Sequence, residues 1–164
     1  MRTLDTEYIT DLTIRAKAGE TEAFAELYGI TYEKQYTYAF GTLKNKEKAL
    51  LALKETYKKA LSGLNALAKD DAFFSYLLMI NFETCLEIMR KKNATEINVR
   101  VDDEHYSLSN LKKLPVTESI VMIERYYRKK RVNSIAGFLE IDSTGVREYL
   151  RRGKEHLKKL LQED

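Results

Sequence analysis

Apolar residues return at helical spacing along almost the whole chain, and a single proline, Pro115, interrupts its 164 residues. A proline inside a helix costs about 3 kcal/mol and removes a backbone donor, so its scarcity lets long helices run on. Recurrence at i, i+3 and i+4 gives each helix one face that must be buried against another. The pattern predicts an all-α fold. Ile9, Leu12, Ile14 and Ala16 mark a first helix over about residues 6–18, which Gly19 is suited to end. Thr21 is the expected cap of a second helix reaching about residue 43, with Phe24 and Leu27 inward and Tyr28, Tyr32, Tyr36 and Tyr38 along it. Asn45 is the expected cap of a third, to residue 62, and Asp70 or Asp71 of a fourth over 72–92, rich in Phe73, Phe74, Leu77, Leu78, Ile80 and Leu86.

The helical pattern breaks between residues 94 and 109, where Ile97, Val99 and Val101 alternate with polar residues and an acidic run, Asp102 to Glu104, follows. We read this as an extended linker over residues 93–111, carrying at most a short strand. It joins two small helical domains, residues 1–92 and 112–164. Beyond it, Pro115 and Thr117, the latter the expected cap, open a helix to about residue 128, followed by helices over 132–140 and 143–161. Charge divides along the same lines. Residues 112–164 hold 13 Lys/Arg against 8 Asp/Glu, residues 1–92 hold 14 against 13, and residues 93–111 hold 1 against 4. Positive charge concentrates in the C-terminal part, as phosphate binding requires, although a solvated helical face has the same composition.

Several function classes are disfavoured. One cysteine, Cys85, allows no intramolecular disulfide and sits in an apolar run, as a buried structural thiol does. No stretch reaches the roughly 20 apolar residues of a membrane span, and the first residues lack a signal-peptide core, so a cytoplasmic location without membrane insertion is expected. His105 and His156 lie far apart in the sequence, Cys85 has no metal-ligand partner near it, and there is no glycine-rich phosphate loop. No enzymatic activity, metal or cofactor is expected.

Residues 134–157, SIAGFLEIDSTGVREYLRRGKEHL, have the grammar of a helix-turn-helix. The first helix must approach the second closely, and Ala136 offers a small contact residue between Ile135 and Leu139. Ile141 enters the turn, Asp142 can accept the orphan amides of the next helix, and Val146 and Leu150 face inward at i, i+4 spacing. Ser143, Thr144, Arg147, Glu148 and Arg151 are left for a major groove, with Arg152 and Lys154 beyond them. Glu140 stands where such turns favour glycine in a left-handed conformation, a substitution costing about 1 kcal/mol. The same spacing also suits an ordinary helical hairpin. Upstream, Arg125, Arg128, Lys129, Lys130 and Arg131 form a basic run suited to phosphates or to a helix C-terminus.

In order, IRAKAGETEAFAELYGITYEKQYTYAF, NKEKALLALKETYKKAL, FFSYLLMINFETCLEIMRKK and the stretch from LPVTESIVMIERYYRKKR to the chain end resemble the small bacterial RNA polymerase sigma factors of the extracytoplasmic-function type. The resemblance implies core polymerase and promoter DNA as partners, together with an anti-sigma or co-sigma protein. It implies polymerase contacts at Lys54, Glu55, Thr56 and Tyr57. It also implies single-stranded promoter contacts at Tyr76, Glu83, Glu87, Arg90 and Lys91, and an upstream promoter element read by the C-terminal domain. Lys48, Leu50, Leu51 and Lys54 stand where the family carries acidic residues and a glutamine, which leaves open a second reading as a sigma-like DNA-binding regulator or polymerase accessory protein.

Overall fold

The computed structural model describes residues 5–90 and 97–163. It is all-α in class, with one small β-hairpin, and the chain divides into two compact units, Met1–Lys92 and Asn93–Asp164.

In the first unit, α1 (Thr6–Lys17) starts where the Asp5 carboxylate accepts from the Tyr8 amide. Gly19 follows its end at φ +97°, a left-handed conformation that glycine adopts without strain. α2 (Thr21–Leu43) is capped by the Glu20 backbone, so Thr21 is its first helical residue and not the expected cap. Asn45 does cap α3 (Lys46–Ser62), accepting from the Lys48 amide at 2.9 Å. α4 (Phe73–Arg90) follows a short 3-10 turn, Asp70–Ala72, and the Asp70 carboxylate pairs with Lys17 at 2.6 Å.

Leu12, Leu27, Phe73, Leu77, Leu78 and Phe82 fill the core of this unit. Phe24 is half-buried and meets Phe73 edge-on. Small residues, Ala39, Ala49 and Ala52, surround a fully buried Cys85. Two buried polar side chains meet across α2 and α4: the Asn81 amide donates to both the backbone and side-chain oxygens of Gln35, at 3.0 and 2.9 Å. Asp70–Met89 is apolar enough, by length and composition, to cross a membrane, but more than half of it is buried inside the protein, as befits a core helix.

The second unit departs from expectation at its start. The described part of the stretch read as an extended linker is folded. β1 (Asn98–Val101) and β2 (Glu104–Ser107) pair antiparallel, Val99 opposite Tyr106, and α5 (Leu108–Leu111) follows at once. Alternation explains it: Val99, Val101 and Tyr106 fall on one face and are buried, whereas Arg100 and its partner His105 fall on the other and are exposed. The connecting turn is only Asp102-Asp103, with Asp102 at φ +55°. α6 (Val116–Met122) is capped by the backbone of Pro115, so Thr117 lies inside the helix and does not cap it. A π-helical turn, Ile123–Tyr127, continues it, and α7 (Val132–Leu139) and α8 (Ser143–Glu163) complete the unit. Ile120, Met122, Ile123, Val146 and Leu157 form the core beside Leu108 and Leu111. α8 crosses α6 closely at Gly153, where a Cβ atom would stand 2.9 Å from Met122 Cγ and Sδ.

Candidate nucleic-acid interface

α7 and α8 are joined by a three-residue turn whose details follow from its sequence. Glu140 closes α7 in the left-handed region, φ 57° and ψ 41°, and its amide bonds to the Ala136 carbonyl. Ile135 and Ala136 are buried, Leu139 and Ile141 half-buried. Asp142 caps α8 by accepting from the Gly145 amide at 2.6 Å. The Ser143 hydroxyl donates to Asn133 Oδ1 at 2.7 Å, which ties the first residue of α8 to the first turn of α7. Nothing in the local sequence spacing marks Asn133 as the partner of a residue ten positions away.

This geometry exposes Thr144 and Arg147 near the N-terminal end of α8, with Ser143 and Glu148 partly exposed. Its cations are not equally available. Arg151 donates from Nη2 and Nε to the two oxygens of Glu148, at 2.5 and 3.0 Å, and from Nη1 to Glu155 at 2.6 Å. Arg152 Nε shares Glu148 at 3.2 Å. Hydrogen bonding from Arg151 is the main reason the Glu148 carboxyl is held down at about 2, and the same pair raises the Arg151 guanidinium. Lys154 is half-buried, 3.3 Å from Asp102 and 5.6 Å above the Tyr126 ring. Arg147 pairs with no carboxylate among the described residues.

The basic run before α7 also divides. Arg128 donates to both oxygens of Glu124, at 3.2 and 3.3 Å, and both side chains are largely buried. Arg125 reaches back to the Lys130 carbonyl at 3.2 Å. Lys129, at φ 60°, and Lys130 and Arg131 are exposed beside the start of α7.

In the first unit the four residues assigned to polymerase separate by burial. Lys54 is exposed and Glu55 half-buried, but Thr56 and Tyr57 face the core. The Tyr57 hydroxyl lies 2.7 Å from Thr31 Oγ1, and burial raises its pKa. The outer face of α3 thus presents Lys54 and the rim of Tyr57, but not Thr56. That rim belongs to a groove of about 410 Å³ between α2 and α3, where Phe24, Tyr28 and Tyr32 face Leu50, Lys54 and Leu61. Leu50 and Leu61 are unusually open for leucine. Sequence spacing alone does not reveal the groove, because its two stripes, each at four-residue spacing or near it, lie on different helices.

The positions assigned to single-stranded DNA are also unequal. Tyr76 is half-buried, its hydroxyl donating to the Ala60 carbonyl at 2.8 Å. Glu83 is half-buried, and Glu87 is exposed but paired with Lys59 at 3.0 Å. Arg90 ends α4, and Lys91 lies outside the described residues.

No family model matches the chain. It is 26% identical, over 140 residues covering 75% of its length and 82% of the relative, to RNA polymerase sigma factor SigV of Bacillus subtilis (strain 168). Among solved structures, a chain of CnrH in complex with the cytosolic domain of CnrY matches at a TM-score of 0.51 and 18% identity, over 96% of this chain and 99% of that one. A chain of the RsbN–BldN complex matches at 0.44 and 20% identity, over 90% and 98%. The protein is thus similar in sequence to an RNA polymerase sigma factor and shares the all-α fold of the matched chain from the CnrH–CnrY structure.

Proposed function

We propose that the protein is a sigma factor of the extracytoplasmic-function type, which brings core RNA polymerase to a limited set of promoters and acts in the cytoplasm without catalysis or cofactor. The observation that carries this reading is the α7–turn–α8 unit. It presents Ser143, Thr144 and Arg147 at the start of a recognition helix, in a chain similar to a sigma factor over most of its length. Arg147 is the residue placed for base edges, a geometry in which arginine pairs with guanine. Lys129, Lys130 and Arg131, exposed where the chain enters α7, are suited to phosphates on the same duplex. The first unit would hold polymerase through α3 and its groove with α2, and contact the melted strand through α4.

Purification of the protein from its host should recover the large core polymerase subunits, and the purified pair should start transcription at discrete promoters. Recovery of duplex DNA without polymerase would reject this reading. It would favour a second one, a sigma-like DNA-binding regulator or accessory protein. That alternative draws on Thr56 and Tyr57 being buried and on Lys48, Leu50, Leu51 and Lys54 replacing the family's acidic and glutamine positions. The same groove also suits an anti-sigma or co-sigma partner. With Lys54 and Lys58 in its lining and no carboxylate, it favours an apolar helix edged with acidic residues.

A further inference from the structure

The hairpin turn of the second unit reaches the recognition helix. Arg100 engages Asp102 and Asp103 differently, donating from Nε to the Asp102 carbonyl at 3.0 Å while its Nη2 lies 3.9 Å from the Asp103 carboxylate. That leaves the Asp102 carboxylate to Lys154, at 3.3 Å. Lys154 is seven residues beyond Arg147 and three beyond Arg151, which places all three along one stripe of α8. The turn is not a loose end that happens to touch a lysine. Val99, Val101 and Tyr106 anchor both strands in the core, and Tyr126 lies under the Lys154 ammonium.

We propose that the acidic hairpin is a built-in guard of the DNA-binding helix, the Asp102 carboxylate occupying the place of a phosphate on Lys154 until a duplex displaces it. This rests on the reading of α8 as a DNA-binding helix. With Glu148 and Glu155 on Arg151, the guard leaves Arg147 as the one cation of this stripe not paired with a carboxylate among the described residues. Free protein then binds arbitrary DNA weakly, and full contact is confined to sites where base recognition compensates for the broken pair. Hydrogen bonding to Tyr126 and the neighbouring Asp102 both raise the Lys154 pKa, so the ammonium stays charged for either partner.

Asp102→Asn isolates the guard, because asparagine tolerates the left-handed backbone that Asp102 adopts. Binding of the full-length protein to a 20-base-pair duplex of arbitrary sequence should be measured between 50 and 200 mM salt. One added phosphate contact steepens the log–log salt slope by about 0.9, equivalent to about a threefold change across that range. Asp102→Asn is expected to tighten binding about threefold at 50 mM and to steepen the slope by that amount. Asp103→Asn removes the same charge one residue away and should change affinity by less than half as much. In a Lys154→Gln background, Asp102→Asn should have no effect. Equal tightening by the two aspartate variants would overturn the guard in favour of general repulsion, and no tightening by Asp102→Asn would overturn it outright. If neither the wild type nor any variant binds DNA, the DNA-binding reading fails first. Acetylation of Lys154, followed by mass spectrometry, separates the two. It should be several-fold faster in Asp102→Asn, and an unchanged rate would remove the contact itself.

Discussion

Glu148 governs how many cations α8 can offer, because one carboxylate holds Arg151 in a two-point contact and Arg152 in a third. Its folded-state pKa of about 2 lies below the usual 4.5. The pairing therefore contributes stability that is complete above the unfolded value and is lost as the pH falls through the folded one. The pair lies on the helix surface, open to solvent, so that contribution is small. Its larger consequence is for binding. Glu148→Gln should release Arg152 and leave Arg151 held by Glu155 alone, raise affinity for arbitrary duplex DNA and steepen its salt dependence by between one and two phosphate contacts, read as a slope change of about 0.9 each. Unchanged affinity would mean that these arginines do not meet phosphate. Single residues were legible in the sequence where a local rule decides them: the left-handed Glu140 and the Asp142 cap both follow from turn chemistry. Tyr57 was not legible in this way, because whether a tyrosine on α3 faces a partner or Thr31 is settled by the packing of α2.

At the scale of elements, α8 carries both the proposed DNA-binding face and part of the core of the second unit, and Gly153 is where the two demands meet. Glycine is a poor helix former, about 1 kcal/mol worse than alanine, yet here it lets α8 approach the fully buried Met122. Gly153→Val should destabilise the protein by about 2 kcal/mol, since an inserted side chain in a filled core costs about 1–3 kcal/mol. Chemical denaturation with a circular dichroism readout would show it as a lower midpoint at an unchanged slope. Helix periods made most elements readable, and the third helix matches its expected bounds, Asn45 cap included. The hairpin was half-read. Alternation at Val99 and Val101 was visible, but a strand needs a partner, and Tyr106 reveals itself only once a two-residue turn is assumed. Four-residue steps along two separate helices likewise hid the α2–α3 groove.

For the whole molecule, the division into Met1–Lys92 and Asn93–Asp164 lets the two proposed activities be tested apart. The second unit has its own core, with Leu108, Leu111, Ile120, Met122, Ile123 and Leu157 fully buried. It also holds every residue assigned to duplex DNA and the acidic turn that guards them. A fragment of residues 93–164 is small, but its strands, α5 and α6 all pack within it, so it should fold without the rest. It is expected to bind duplex DNA with the affinity and salt slope of the full chain, while residues 1–92 alone should not bind duplex. Titration of a labelled duplex with each fragment checks this. Tighter binding by the full chain than by residues 93–164 would mean that the first unit adds phosphate contacts of its own, and the difference in salt slope would count them. Equal binding would assign the first unit to protein partners and melted strands. The groove lysines, Lys54 and Lys58, then become the place to look for what recruits it.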